Sequence, residues 1–135
     1  MDSIESIQPS GWKKPKGYSN GMLAPKGTRT LHVGGQIAWN ADQELVGAGD
    51  FAAQFRQALA NVVEVVHTAG GHADQIANMT VFVTDKQAYL ASAKEIGVAW
   101  RELVGRHYPA MALVQVADLL EEGAMVEIQA TAELP

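Results

Sequence analysis

The apolar residues of this chain recur with two spacings, one typical of helices and the other typical of strands. After Asp50, apolar residues recur every three or four positions until Gly70 and Gly71. This pattern predicts an amphipathic helix with a side-chain cap at its start and a glycine at its end. A second run with helical spacing ends near Gly105 and predicts another amphipathic helix, with apolar positions at Tyr89, Ala93, Ile96, Trp100, Leu103 and Val104.

The segments around these helices alternate between apolar and polar residues, as half-buried strands do. They cover residues 30–37 and 76–85, and two C-terminal runs with alternating residues Ala112, Val114 and Val116, then Val126, Ile128, Ala130 and Ala132. Residues 9–29 are rich in Pro and Gly, which favours loops and short irregular strands. The order is β-β-α-β-α-β-β. Helices with one apolar face pack on one side of a mainly antiparallel sheet, so we predict an α+β fold.

Length and composition predict a single domain over residues 1–135, with an irregular N-terminal segment over residues 1–16. The chain is 47% apolar, 19% charged and has a net charge of −5, and its one basic cluster is Lys13, Lys14 and Lys16. An acidic chain with so small a basic cluster lacks the basic surface typical of nucleic-acid-binding proteins, so the composition disfavours a nucleic-acid partner. The N-terminal residues lack the apolar segment of a signal peptide, and no stretch is long enough for a membrane span. We therefore expect a cytoplasmic protein.

Few residues carry an obvious catalytic pattern. Residues 17–21 read Gly-x-Ser-x-Gly, but a nucleophile elbow needs a buried strand before the serine and a helix after it, and neither flank fits. The chain has no cysteine, and its four histidines lack metal-ligand spacing, so we predict neither a metal nor a cofactor. Glu127 lies mid-strand between two apolar residues. A carboxylate there is either functional or a solvent-facing residue at the sheet rim, and the pattern leaves both open.

Two C-terminal stretches carry a more specific pattern, residues 108–119 (YPAMALVQVADL) and residues 125–130 (MVEIQA). They resemble the signature of the Rid (YjgF-type, reactive-intermediate deaminase) family, which reads Pro-Ala-Arg, an apolar strand, a turn and Val-Glu-Ile-Glu-Ala. Residues 17–19, 33–37, 54–70 and 78–85 are similar to further family stretches, in the family's order.

The resemblance implies a chorismate-mutase-like fold with a mixed sheet and two helices on one face. It also implies a homotrimer in which the sheets face inward, with pockets at the subunit interfaces. In the active deaminases of the family, an arginine holds the carboxylate of a 2-imino or 2-aminoacrylate substrate. A glutamate and a backbone carbonyl position the attacking water. By resemblance, Glu127 matches the glutamate, Tyr18 a pocket tyrosine and Leu113 the residue with the carbonyl.

Two departures from the family pattern concern the substrate. Met111 occupies the position of the arginine, and Gly34 stands where a pocket serine or threonine is usual. An arginine gives a carboxylate two charge-assisted hydrogen bonds and methionine gives none, a loss of at least about tenfold in affinity. We therefore expect 2-imino acids to be poor substrates. The exception would be a cation from elsewhere in the chain reaching the pocket, and the candidates are Lys16, Arg101 and Arg106.

These features favour an imine or enamine deaminase-type hydrolase that acts on a different small metabolite, with Met111 in the pocket within reach of Glu127. The alternative is a non-catalytic trimer of the same fold that binds a small molecule or a partner protein. Pairing of Glu127 with a lysine, or burial without room for water, would favour that alternative. A ribonuclease is a third reading, and the acidic charge and the lack of a catalytic histidine pair disfavour it.

Overall fold

The computed structural model describes residues 3–135. Its elements are β1 (Glu5–Ile7), β2 (Gly21–Leu23), β3 (Arg29–Gln36), α1 (Phe51–Thr68), a 3-10 turn (Ala73–Gln75), β4 (Ile76–Val83), α2 (Lys86–Ala91), α3 (Ala93–Leu103), β5 (Ala110–Gln115) and β6 (Val126–Leu134). The predicted α+β order is confirmed. One additional strand precedes it, and the second predicted helix is divided in two.

Four strands form one mixed sheet in the order β3-β6-β4-β5. β6 pairs antiparallel with both neighbours, whereas β4 and β5 run parallel. β1 and β2 form a separate two-stranded antiparallel sheet. Residues 1 and 2 lie outside the described residues. For residues 3–16 the expectation of an irregular segment is wrong at β1, which is short and exposed and therefore lacks the alternation that reveals half-buried strands.

Helix α1 forms as its sequence predicts. The Asp50 side chain accepts a hydrogen bond from the Ala53 amide at 3.1 Å, which satisfies one of the free donors at the helix start. Gly70, just after the helix, adopts a φ of +91°, a left-handed conformation that favours glycine. The buried face of α1 packs on the sheet and carries Phe51, Gln54, Phe55, Ala58, Leu59, Val62, Val63 and Val66.

The second predicted helix is two helices that meet at Ser92. Asp85 caps α2 by accepting from the Gln87 amide at 2.9 Å, so the helical segment starts before Tyr89. The backbone of Ser92 leaves the helical region with φ −101° and ψ 14°, and α3 then continues to Leu103. Apolar spacing runs through this break because both segments pack apolar residues against the same core, partly buried in α2 and buried in α3, so the spacing could not reveal it.

The sheet has one face toward the helices and one face away from them. Buried residues at alternate positions form the helix face, namely Met79, Val81 and Val83 of β4 and Val126, Ile128, Ala130 and Ala132 of β6. The opposite face of β6 carries Glu127, Gln129, Thr131 and Glu133. In β5 the alternating residues Ala112 and Val114 are exposed and lie on the face away from the helices. Met111 instead packs toward the core.

Gln54 is the one fully buried polar side chain in the core of the described residues, at 0% exposure. Its amide nitrogen donates to the carbonyls of Gly47 at 3.2 Å and Gly123 at 3.1 Å, and its oxygen accepts from the Met125 amide at 2.8 Å. This side chain therefore joins the loop before α1, the turn before β6 and the start of β6. The Gly123 carbonyl and the Met125 amide depend on it, because polar groups without partners are costly, whereas the Gly47 carbonyl also accepts from the Asp50 amide at 2.9 Å.

We predict that Gln54→Leu lowers the free energy of unfolding by about 2–4 kcal/mol, since it removes three hydrogen bonds and leaves the Gly123 carbonyl and the Met125 amide without this partner. Urea denaturation measures this change. Gln87→Leu is the control, because Gln87 is exposed on α2, and it should change stability by less than about 0.5 kcal/mol. Equal effects of the two substitutions would show that the buried hydrogen bonds do not hold the loops.

Candidate functional site

A cleft of about 200 Å³ opens between β5, α3 and the loop before β2. Met111 lies in its wall, opposite Met79 in the sheet and partly buried against the core. The remaining walls are mostly apolar and aromatic. They comprise Gly17, Phe55, Val81, Tyr89, Ala93, Ile96, Gly97, Trp100, Arg101 and Tyr108. The cleft thus combines an apolar interior with one arginine.

The aromatic end of the cleft is fixed by packing and hydrogen bonds. The rings of Trp100 and Tyr108 stack with centroids 6.1 Å apart and an interplanar angle of 5°. The indole of Trp100 donates to the His107 carbonyl at 3.0 Å, which holds the indole against the start of β5. Burial raises the pKa of the Tyr89 hydroxyl above its usual range. Tyr89 is therefore a neutral group in the cleft at any ordinary pH.

Ser19 holds the glycine-containing loop beside β5. Its amide donates to the Pro109 carbonyl at 3.0 Å, and its hydroxyl donates to the Tyr108 carbonyl at 2.6 Å. The hydroxyl is thus committed to a structural hydrogen bond, and strand β2 follows rather than a helix. This geometry confirms that residues 17–21 are not a nucleophile elbow.

Tyr18 lies outside the Met111 cleft. Its side chain is 44% exposed and lines a neighbouring groove together with Arg106 and His107. Of the predicted loop residues, the structure brings Gly17 rather than Tyr18 to Met111 within one chain. Both clefts have Tyr108 in their walls.

The carbonyl of Leu113 points to the open edge of the sheet. The Pro109 carbonyl accepts from Ser19 on the side away from β4, whereas the Val116 amide donates to Val83 of β4. Backbone groups of a strand alternate in direction, so the odd-numbered residues from Pro109 onward direct their carbonyls outward. Among residues 3–135, Ser19 is the one residue that pairs with this edge of β5. The Leu113 oxygen is therefore accessible to a ligand or to a second chain.

Glu127 lies on the other face of the sheet from Met111. It pairs with Phe82, whereas Met111 pairs with Met79 on the helix face, and neighbouring residues of β4 alternate between faces. The expectation that Met111 lies within reach of Glu127 is therefore wrong within one chain. In β5, apolar residues occupy both faces, so alternation gave no sign of which face Met111 takes.

The carboxylate of Glu127 lies over Gly35, where strand β3 has an irregular register. A Cβ atom on Gly35 would overlap one carboxylate oxygen and would stand 2.9 Å from the carboxyl carbon. A Cβ atom on Gly34 would meet nothing within 4 Å. The glycine in contact with the carboxylate is thus Gly35, which the sequence did not single out. A close approach between two strands leaves no signal in local spacing.

Glu127 is half-buried, and no lysine or arginine within residues 3–135 lies within 4.0 Å of its carboxylate. The one ion pair in that range joins Arg56 to Glu102. Pairing with a lysine, which would have favoured the non-catalytic binding trimer, is absent from the described part of the chain.

Of the three cations considered for the Met111 cleft, only Arg101 lines it. Arg106 lies in the neighbouring groove, and Lys16 lines neither. Within residues 3–135, no three His, Asp or Glu side chains are close enough together to hold a metal ion. None of the helices in this range combines the length and apolarity that a bilayer crossing requires.

Residues 13–134 match the profile of a protein family described as Endoribonuclease L-PSP. The structure superposes with a TM-score of 0.87 on a Yersinia pestis protein of unknown function from the conserved Rid family, YyfB. That match is 32% identical and covers 98% of this chain and 100% of the other. The chain is a Rid family protein. The match also confirms the predicted α+β fold of this family.

Two further similar proteins bear on function. A human protein named 2-iminobutanoate/2-iminopropanoate deaminase is 28% identical over 115 residues, which cover 85% of this chain and 78% of the human protein. The crystal structure of Escherichia coli TdcF with bound serine matches at 30% identity and a TM-score of 0.64, and it covers 98% of each chain. The family and the human relative support an imine deaminase-like function at family level.

The contact between Gly35 and Glu127 makes a structural prediction for this Rid protein. Gly35→Ala should move the carboxylate by about 1 Å or more at little cost to folding, because the overlapping atoms end a flexible side chain. Gly34→Ala, one residue away in open space, should leave the carboxylate in place. Crystal structures of the two variants, with thermal melts to verify folding, compare the positions. An unmoved carboxylate in Gly35→Ala would contradict the contact.

Proposed function

We propose that this protein is a hydrolase of the imine or enamine deaminase type that acts on a small metabolite, with Glu127 as its catalytic carboxylate. The observation that carries the proposal is the state of Glu127. Its carboxylate is half-buried, faces away from the core, and has no cationic partner within residues 3–135. A carboxylate in that state is free to take a proton from water. The human relative named as a deaminase supports the same chemistry.

The reaction transfers both protons of one water molecule to the imine nitrogen. Glu127 accepts the first proton while the water oxygen bonds to the imine carbon, and it then passes this proton to the nitrogen, which gives a neutral carbinolamine. The remaining O–H of the former water can donate to the carbonyl of Leu113. Glu127 then takes the proton of this hydroxyl and gives it to the amine nitrogen as the carbon–oxygen double bond forms and the carbon–nitrogen bond breaks, so ammonia and a ketone or aldehyde are released. No step calls for a cofactor or a metal.

We propose that the complete site lies between copies of the chain in a homotrimer. Glu127 and the Met111 cleft are on opposite faces of one sheet, so a pocket that contains both needs two subunits. The edge strand β5 also exposes Leu113 and Val114, at 36% and 41%, as a surface for a neighbouring copy. Exposed apolar residues on a free strand edge are typical of interfaces.

The substrate-binding residues in this proposal are Tyr18, Gly34, Met111 and Leu113. Met111 contributes an apolar wall in place of a charged one, and Gly34 offers no hydroxyl. The substrate therefore differs from a small 2-imino acid held by an arginine on β5. The ribonuclease suggested by the family's description is disfavoured by the net charge of −5, because RNA phosphates bind to basic surfaces.

Glu127→Gln should lower hydrolysis of the best substrate by about 10²–10⁴-fold, because the amide cannot take a proton from water. The assay would measure ammonia release from a panel of imines and enamines generated in situ. Glu133→Gln is the matched control, since Glu133 lies on the same face of β6 but binds Thr28 and Thr30. Equal rates for wild type and Glu127→Gln would contradict the enzyme hypothesis. They would favour the alternative, a non-catalytic trimer that binds a small molecule or a partner protein.

The assembly can be tested separately from the chemistry. We expect light scattering of the purified protein at micromolar concentration to give three times the mass of one chain. Replacing Val114 with Asp should shift the mass toward that of the monomer, because a carboxylate buried at a subunit contact is costly. Replacing the exposed Leu90 of α2 with Asp is the control, since it leaves the β5 edge intact. A wild-type protein with the mass of a monomer would contradict the proposal that the site lies between two subunits.

A further inference from the structure

We infer that Arg101 is the residue that holds the substrate's anionic group, and that the Met111 cleft takes a carboxylate attached to an aromatic or bulky apolar group. This inference rests on the proposed function and names its substrate class. The cation is supplied from helix α3 rather than from strand β5.

Arg101 extends along the wall of the Met111 cleft. It lies in the last turn of α3 and lines the same cleft as Met111 and Gly17. Its Nη1 atom would stand 3.7 Å from a Cβ atom on Gly97, one turn earlier in the helix. Gly97 also lines the cleft. The guanidinium therefore extends along the cleft wall over a helix position that has no side chain.

The guanidinium of Arg101 also has no anionic partner in the described chain. The adjacent residue, Glu102, pairs with Arg56 at 2.8 Å, and this is the one ion pair within residues 3–135. Arg101 thus retains its donors for a ligand. Arginine binds carboxylates through two parallel hydrogen bonds, and this interaction is stronger beside an apolar surface, where water competes less.

The rest of the cleft indicates what the carboxylate is attached to. The walls around Arg101 are apolar and aromatic, including Met111 and the stacked pair Trp100 and Tyr108. The cleft volume is about 200 Å³. A cavity of about 150 Å³ accommodates benzene, so this cleft has room for a ring of that size. The smallest imino acids, with only a methyl or ethyl group, would leave most of it empty.

A simpler role for Arg101 is to stabilise the C-terminal end of α3, where a positive charge is favourable. The two roles differ in one measurable property, the preference of the protein for a carboxylate over the matching neutral amide. A helix-end charge affects stability and has no influence on that preference. The experiment therefore compares 3-phenylpropanoate with 3-phenylpropanamide by calorimetry on the full-length protein.

We expect wild type to bind 3-phenylpropanoate at least about tenfold more tightly than the amide, as expected for a charged hydrogen-bonded pair. Arg101→Gln should abolish this preference, and Arg101→Lys should retain part of it because it keeps the charge without the planar fork. Lys94→Gln is the control, since it removes one exposed cation from the same helix outside the cleft. With 2-imino-3-phenylpropanoate generated in situ, Arg101→Gln should raise KM by a similar factor with little change in kcat.

The outcomes separate this inference from the proposed function. Carboxylate selectivity that depends on Arg101, without turnover of any imine, supports the anion site and contradicts the hydrolase. Turnover that depends on Glu127, with carboxylate selectivity unchanged in Arg101→Gln, supports the hydrolase and overturns the role of Arg101. Absence of any preference for the carboxylate in wild type also overturns it.

Discussion

The register of strand β6 sets the position of every candidate residue in the sheet. β6 is paired on both sides, with β3 and with β4, and its alternate residues from Val126 to Leu134 are buried under the helices. A shift of one residue would bring Glu127 into the core and Ile128 to the surface. Burying a carboxylate without a partner costs several kcal/mol, so the core and the candidate site specify the same register. Gln54 fixes the start of β6 through the Met125 amide.

This register also places the candidate site residues on two different faces of the sheet. Glu127 and Gly35 lie on the face away from the helices, whereas Met111 and Arg101 lie on the helix side. A site that uses both sets would be shared between copies of the chain, and the open edge of β5 is the surface that we propose for that contact. The methionine on β5 carries no charge, and Arg101 of α3 is the one cation within residues 3–135 that lines its cleft. In this account, loss of an arginine on the strand changes the substrate class and leaves the carboxylate chemistry in place.

The sequence predicted what depends on local spacing and capping, including α1 and the apolar face of β6. In β5 the alternating residues Ala112 and Val114 lie instead on the face away from the helices. The sequence did not predict features that depend on distant contacts. The break at Ser92 lies between two segments that face one core, and β1 is too short and exposed to show alternation. The contact of Gly35 with Glu127 arises from the pairing of two distant strands. The residues of β5 are apolar on both faces, so spacing could not show that Met111 and Glu127 lie apart.

The most direct test of the shared site is complementation between two inactive chains. Glu127→Ala removes the carboxylate, and Gly97→Leu fills the cleft from a helix position where a Cβ atom meets only the Arg101 side chain. Each variant alone should be inactive as a homo-oligomer. Co-expressed in equal amounts, they should recover about a quarter of wild-type activity. With random assortment, about a quarter of the interfaces combine an intact Glu127 from one chain with an open cleft from the other. A mixture as inactive as either variant alone would contradict the shared site. It would mean that Glu127 of one chain and the Met111 cleft of another do not act together in catalysis.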